Sequence, residues 1–302
     1  MSRVIGQKLE EVDEGIFAYL QLDGSWCLNN SGIVLGREGA IVVDTAATEA
    51  RARKLHETVR RLGSGRATTL VNTHHHGDHC FGNFVFAPET TIIAHELARA
   101  EMAAGGKALQ GIWPDVEWGE IELRLPDVTF PDRMTVHTGD FEVELIHVGP
   151  AHTSNDVVAW LPSQRVLFAG DVVFNGVTPF VLMGSVAGSL AAVERLRALG
   201  PATIVPGHGA VGGAALLDHT ADYLLWVQHL AAEGIAAGLS PAETAREADL
   251  AQYAELLDDE RIIGNLIRAY AEAQTEEPRP VDIADALGQM FEYHGGRPAC
   301  FA

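Results

Sequence analysis

Basic residues and cysteines are scarce in this chain, and long apolar runs are missing. Of 302 residues, 21 are Lys or Arg against 41 Asp or Glu, a formal charge of -20. A nucleic-acid partner needs a basic track along its phosphates, and this balance argues against one. The three cysteines, Cys27, Cys80 and Cys300, are odd in number and widely spaced. That disfavours a disulfide scaffold and fits a reducing compartment. No run of about 18 apolar residues occurs, so no membrane span is expected. The stretch Met1–Gln7 has no apolar core of the kind an export signal carries. The expectation is a cytoplasmic protein with neither a membrane nor a nucleic-acid partner, its oligomeric state open. With 47% hydrophobic residues the chain can bury a large core, as one large domain or two small ones.

What it has in abundance is histidine in one place. Thr69-Leu70-Val71 has the look of a short buried strand, and Asn72-Thr73-His74-His75-His76-Gly77-Asp78-His79 follows. Neutral imidazole and carboxylate suit a borderline metal such as zinc. A loop at a strand end can turn His74 and His76 to one ion and Asp78 and His79 to a second. An accidental His-rich turn or a purification tag is the plainer reading. A tag, though, sits at a terminus and does not carry Gly-Asp-His. Three further stations each follow an apolar, strand-like run: His152 after Val148, Asp171 after Val166–Ala169, and His208 after Thr203–Val205. Any one alone would suit a turn.

In this order the four stations resemble the metallo-β-lactamase superfamily, over about residues 10–212. The early run Ile41-Val42-Val43-Asp44 matches a strand that ends in Asp in that family. The resemblance implies that His74, His76 and His152 hold one metal, that Asp78, His79 and His208 hold a second, and that Asp171 bridges them. It makes Asp78 and Asp171 the catalytic carboxylates and Asp44 the group that orients the metal loop. The implied cofactor is two zinc ions, with iron or manganese as alternatives. The charge balance speaks against the nucleic-acid-cleaving branches, and the missing export signal against antibiotic hydrolysis. A dinuclear centre lowers the pKa of water and polarises a carbonyl, which suits thioester, lactone or amide hydrolysis, and it can also stabilise an enolate for carbon–carbon bond formation.

Along the chain, short β-rich runs precede residue 44, and Thr48 is placed to cap a helix to about Leu62. That helix carries Arg51, Arg53, Lys54, Arg60 and Arg61, with Arg66 beyond. The cluster is either a solvated helix face or a docking patch for an acidic partner, in which Arg53, Arg60 and Arg61 would take part. A strand at 91–94, a helix at 95–103 and an aromatic loop at 105–120 follow. Trp113 and Trp118 there either line a pocket or pin the loop to the core. Strands are expected at 134–136, 141–148, 156–161 and 165–169, then a helix capped by Ser189 and the His208 strand. The pattern alone gives a mixed α/β class. The resemblance implies a four-layer αββα sandwich, with residues 1–212 as the catalytic core. It also suggests that the hairpin at Asp23–Cys27 overhangs the site, making Trp26 a substrate wall.

From residue 213 to 302 the texture is helical: 214–237, a capping box at Ser240–Glu243, 261–273, a linker at 276–280 and 281–293. This is read as an extension packed on the core. His294 suits the surface, and Cys80 a structural place. Glyoxalase II has the same seven ligands and a helical addition, but its anionic substrate needs basic groups. Residues 213–278 hold thirteen acidic residues and three basic ones, Arg246, Arg261 and Arg268.

Trp26-Cys27, Gly111–Pro114, Gly119–Leu123, Phe168–Val173, Gly176–Phe180, Gly184–Leu190 and the Gly295-Gly296 tail resemble the actinorhodin-type second-ring cyclases. Those are bicyclases with thioesterase activity in aromatic, type II polyketide pathways. The resemblance implies a partly cyclised polyketide thioester on an acyl carrier protein as substrate. Trp26, Trp113, Trp118 and Phe180 would wall its cleft. A general dinuclear thioesterase or lactonase of the same fold is the alternative.

Overall fold

The computed structural model describes residues 6–63, 68–273 and 280–302. Its strands form two sheets. The first runs in spatial order β1 (Gly6–Asp13), β2 (Ile16–Leu22), β3 (Ser31–Leu35), β4 (Ala40–Val43), β5 (Thr68–Val71), β6 (Thr91–His95) and β7 (Val128–Phe130). Neighbours from β1 to β4 are antiparallel, and those from β4 to β7 are parallel. The second sheet contains β8 (Arg133–Thr138), β9 (Phe141–His147), β10 (Val157–Leu161), β11 (Val166–Phe174) and β12 (Thr203–His208), in the order β12-β11-β10-β9-β8. Only its β11/β12 pair is parallel.

The helices explain why the central strands are apolar on both faces. They are α1 (Glu49–Gly63), α2 (Gly77–Cys80), α3 (Asn83–Phe86), α4 (Glu96–Gly105), α5 (Leu109–Ile112), α6 (Val186–Leu199), α7 (Ala215–Ala237), α8 (Pro241–Glu247), α9 (Arg261–Ala273) and α10 (Ile283–His294). Successive side chains on a strand point to opposite faces. In β4, Ile41 and Val43 enter the core between the sheets, where Leu20 and Val71 meet Leu145, Leu161 and Phe168. Ala40 and Val42 face the other way, onto Leu55 and Val59 of α1. On the second sheet Trp160, Leu167 and Ile204 point outward, under Val193 and Leu196 of α6 and Leu217 of α7. Strands covered on both sides read as continuous hydrophobic runs. The result is the four-layer αββα arrangement.

The helices after residue 213 have an apolar cluster of their own. Tyr223, Val227, Ile262, Ile263, Leu266 and Met290 close on Phe180, Val181 and Leu182, which follow β11. Among the described residues no helix is long and apolar enough to cross a membrane. The capping box at Ser240 forms with both of its hydrogen bonds.

Three expectations change. The strand expected at 165–169 runs on to Phe174, so Asp171 lies within β11, next to a register shift at Gly170. Gly170 has φ 51°, and a Cβ there would sit 2.9 Å from the Thr73 side chain. A glycine with a left-handed backbone lets the strand kink against the histidine loop without a clash. Second, α6 is capped by Ser185, whose hydroxyl accepts from Gly188 N at 2.9 Å. Ser189 lies inside the helix and is buried. Third, the aromatic loop contains the short helix α5. Arg66, most of the glycine turn after α1 and most of the linker at 276–280 lie outside the described residues.

Loss of an N-cap hydroxyl costs about 1 kcal/mol. Ser185→Ala should therefore lower stability to denaturant by about that amount, whereas Ser189→Ala should leave the helix start intact. Equilibrium urea unfolding of the two variants checks this.

Candidate metal centre

The site lies where β4, β5 and β12 end, beside Asp171 within β11. Asp44 directly follows β4 with φ 62°, a left-handed conformation that Asp tolerates better than most residues. Its Oδ1 accepts from Thr73 N and its Oδ2 from Thr73 Oγ1, both at 2.7 Å. Oδ2 also accepts from His79 Nδ1 at 2.8 Å. One buried carboxylate thus ties the strand end to both sides of the histidine loop.

The other imidazoles are held in the same manner. Thr73 Oγ1 faces His74 Nδ1 at 3.1 Å. The carbonyl of Phe180 accepts from His152 Nδ1 at 2.5 Å, and that of Gly24 from His208 Nδ1 at 2.8 Å. Partners held at these Nδ1 atoms turn the Nε2 atoms inward. Asp171 stands between the inward-facing nitrogens. Its Oδ1 is 3.1 Å from His79 Nε2, and its Oδ2 is 3.4 Å from both His152 Nε2 and His208 Nε2. Asp78 Oδ2 is 3.3 Å from His208 Nε2. Gly207 permits the approach of Asp171, because a Cβ there would meet Asp171 Oδ1 at 1.9 Å.

These atoms form the groups His74/His76/His152, Asp78/His79/His208 and His74/His79/Asp171, each with ligand atoms within 4.8 Å of one another. All seven expected residues therefore converge. Their donor set fits metal ions. His74 Nε2, His79 Nε2 and Asp171 Oδ1 are buried without a hydrogen-bond partner among the described residues. His152 Nε2 and His76 Nδ1 face each other at 2.9 Å. Three carboxylates, Asp44, Asp78 and Asp171, are buried at this one end of the molecule, and unpaired buried charge is strongly unfavourable. Burial and the neighbouring imidazole of His79 push His74 well below the usual histidine range, and burial with His75 and His152 does the same to His76. Burial pushes Asp171 toward neutrality, but His208, His79 and His152 outweigh it and hold the carboxyl well below the usual range. Burial also opposes charge on His79 and His208, but Asp171 with its neighbouring carboxylates outweighs it, pushing His79 well above the usual range and His208 up to about 9. His74 and His76 are thus already neutral, as ligation requires, whereas bound cations would displace the protons that His79 and His208 hold.

Beside these residues lies a cleft of about 410 Å³. Trp26, Trp113 and Phe180 line it, together with Leu109 and Ile112 of α5, Phe174, Met183 and, from the C-terminal helices, Arg261, Ile283 and Leu287. Trp26 packs on Trp113 at 5.3 Å and edge-on to Phe180 at 5.4 Å between ring centres. Trp118, expected in the wall, does not line this cleft. It is buried behind it, against Phe81, with Nε1 donating to Trp113 O at 3.0 Å. That indole braces the loop from behind, where Val116 N also donates to Trp113 O at 3.2 Å. Cys80 is turned away, its thiol donating to His75 O at 3.3 Å. In the basic helix, Arg51 is spent internally on Gln21 Oε1 and Phe301 O. Arg53 pairs with Glu49 at 2.6 Å, while Arg60 and Arg61 are exposed.

Sequence reasoning missed several supporting residues. Asp156 accepts from Ala151 N, Thr153 N and Thr153 Oγ1 at 3.2, 2.8 and 2.8 Å, and so shapes the His152 loop; burial pushes it up to about 7. The spacing Thr153-x-x-Asp156 was the available signal, since such pairs close local turns. Arg261 lines the cleft from the start of α9, Glu260 just before it takes the Trp26 Nε1 hydrogen at 2.6 Å, and no local motif announces either.

Two stacked sheets flanked by helices, with clustered His and Asp side chains at the strand ends, define a class of metal-dependent hydrolases. The chain belongs to the metallo-beta-lactamase superfamily, whose family model matches residues 24–208. It is 24% identical over 221 residues to a type 2 metallo-beta-lactamase of Bacteroides fragilis, covering 70% of this chain and 83% of that one. Over 132 residues it is 33% identical to a hydroxyacylglutathione hydrolase of Methylococcus capsulatus, 43% of each chain. Among solved structures, a metallo-beta-lactamase from Pontibacter korlensis superimposes with TM-score 0.62 at 23% identity, covering 73% of this chain and 99% of that one. That likeness is one of fold.

The site should take up close to two equivalents of zinc, measured by elemental analysis after dialysis; saturation at one would defeat a dinuclear reading. Loss of a residue that orients metal ligands typically weakens binding about 10–100-fold. Asp44→Ala should fall in that range in a competition titration with a zinc chelator.

Proposed function

We propose that this protein is a metal-dependent second-ring cyclase with thioesterase activity, acting on a carrier-bound, partly cyclised aromatic polyketide. In this reading His74, His76 and His152 hold one ion, Asp78, His79 and His208 a second, and Asp171 lies between both. Ions bound there would polarise a carbonyl and make water acidic near neutral pH. The chain's own residues do the rest. Asp44 holds His79 and the loop in register, and the Phe180 carbonyl holds His152 while the Phe180 ring lines the cleft. The carboxylates of Asp78 and Asp171 border the cleft and are placed to hold a proton taken from water or from an acidic carbon.

The observation that supports the reading is the aromatic wall beside the metal ligands. Cyclisation requires a flexible polyketone to be folded so that one carbon meets one carbonyl. Orientation of that kind supplies about 7–11 kcal/mol of a barrier in well-aligned cases. Planar, half-aromatised rings stack on indole and phenyl faces. A general thioesterase needs only access of a carbonyl to the ions. The partial similarity to a hydroxyacylglutathione hydrolase keeps that second reading in view, as a broad thioesterase or lactonase.

The two readings separate on product identity. In a reconstituted minimal polyketide system the wild-type enzyme should change which second ring forms. Trp113→Ala and Phe180→Ala should raise the share of uncyclised or misfolded products while part of the metal-dependent thioester cleavage survives. If the wild-type enzyme merely releases the linear acid, the broad thioesterase reading replaces the cyclase.

Carrier docking on α1 is part of the same proposal. Arg60 and Arg61 supply exposed charge there, with Arg53 screened by Glu49. Steering by such charges weakens with salt. Arg60→Glu with Arg61→Glu should slow turnover of a carrier-bound thioester and leave a small thioester unaffected. Equal rates on both substrates would make the cluster a solvated face.

A further inference from the structure

Away from the metal-facing residues the cleft is mostly apolar, with Glu101 on its lining, yet it contains a guanidinium. Arg261, at the start of α9, is 2% exposed. Its Cζ lies 4.0 Å from the centre of the Trp26 ring and 5.5 Å from that of Phe174. Phe174 in turn stacks on His208, with ring centres 5.6 Å apart. The guanidinium therefore stands one aromatic ring away from an imidazole of the metal centre.

Its hydrogen bonding is incomplete. Nη1 donates to Thr178 O at 3.1 Å, and Nη2 lies 2.9 Å from the Asp258 carboxylate. Nε has no acceptor among the described residues. A buried donor left without an acceptor is unfavourable, and such groups call for an explanation such as a role in a site. The preceding residue secures the platform. Glu260 is fully buried and takes the Trp26 Nε1 hydrogen at 2.6 Å, holding the indole beside the guanidinium.

We propose that Arg261 is a substrate-binding residue that selects an aromatic acyl group carrying an acidic oxygen, a phenol or enol, about one ring's width from the carbonyl presented to the metals. The proposal rests on the reading of the cleft as a site for aromatic thioesters and names the group that the substrate must carry. In an apolar cleft an acidic oxygen is poorly accommodated unless a donor meets it. A guanidinium is a planar donor that stacks on aromatic faces while its edge remains free to donate. An aliphatic acyl chain without an acceptor there gains nothing from it.

Binding tests this separately from turnover. Calorimetry with the zinc-loaded full chain would compare 4-hydroxybenzamide with 4-methoxybenzamide, which differ only in the acidic hydrogen and a methyl group. At a pH where its phenol is ionised, the hydroxy compound should bind wild-type protein about tenfold more tightly, as expected for a hydrogen bond between a charged donor and a charged acceptor. Arg261→Met, which retains bulk without charge, should erase the preference while keeping two zinc equivalents and the affinity for the methoxy compound within about twofold. Arg261→Lys, should Arg261→Met fail to fold, keeps the charge without the planar donor edge and should lose most of the preference. No preference in wild type, or a preference that survives in the folded variant, would overturn the proposal and leave Arg261 as a support for Trp26. If neither compound binds, the aromatic-substrate reading itself falls, an outcome distinct from equal binding of both.

Discussion

The metal end of this molecule depends on the Asp44 carboxylate. It sits directly after a strand of the first sheet, in a left-handed backbone conformation, and receives hydrogens from Thr73 N, Thr73 Oγ1 and His79 Nδ1. Those contacts fix the ring of His79 and, through Thr73, the ring of His74. The other imidazoles are fixed by backbone carbonyls from distant segments, Gly24 for His208 and Phe180 for His152. His79, His152 and His208 are thus oriented by groups fixed in the fold, and His74 through Thr73. Concentrating three carboxylates and several unprotonated imidazoles in a buried place is unfavourable without cations. The fold holds that arrangement only because two well-packed sheets determine where the strand ends lie.

The C-terminal helices matter to the site as much as the sheets do. Glu260 grips the Trp26 indole, Arg261 lies over its face, and Ile283 and Leu287 close the cleft opposite the histidines. The tail joins in: Pro298 O accepts from Trp113 Nε1 at 2.8 Å, and Phe301 O from Arg51. The cleft wall is therefore a joint product of the Trp26 hairpin, the α5 loop and the extension. The core places the chemistry, and the extension shapes what can approach it.

Much of this was legible in the residues. The histidine loop was legible because metal ligation demands particular side chains at short spacing on one strand-end loop. The strands were legible because burial on both faces removes polar residues from β4 and β10. The box at Ser240 was legible because a helix start must satisfy its first amide groups locally. Less clear were Asp171, which lies beyond a glycine kink inside a strand rather than at its end, and the cap of α6, where two serines compete and packing chooses Ser185. The basic helix looked uniform in sequence, yet Arg51 is turned inward by Gln21 and Phe301 and Arg53 is paired, a division that depends on distant segments.

The sequence by itself determined the types and order of the candidate ligands and the family to which the chain belongs, because those rest on local chemistry repeated along the strands. Only the tertiary structure decided which aromatic groups form the cleft. Trp26 and Trp113 face it while Trp118 backs it, although all three stand in similar loops. It also decided that a guanidinium from α9, far along the chain, stands one ring from the metal ligands. Contacts between residues more than two hundred positions apart, such as Trp26 with Glu260, leave no local pattern to read, because they arise only when two independently folded faces close on each other.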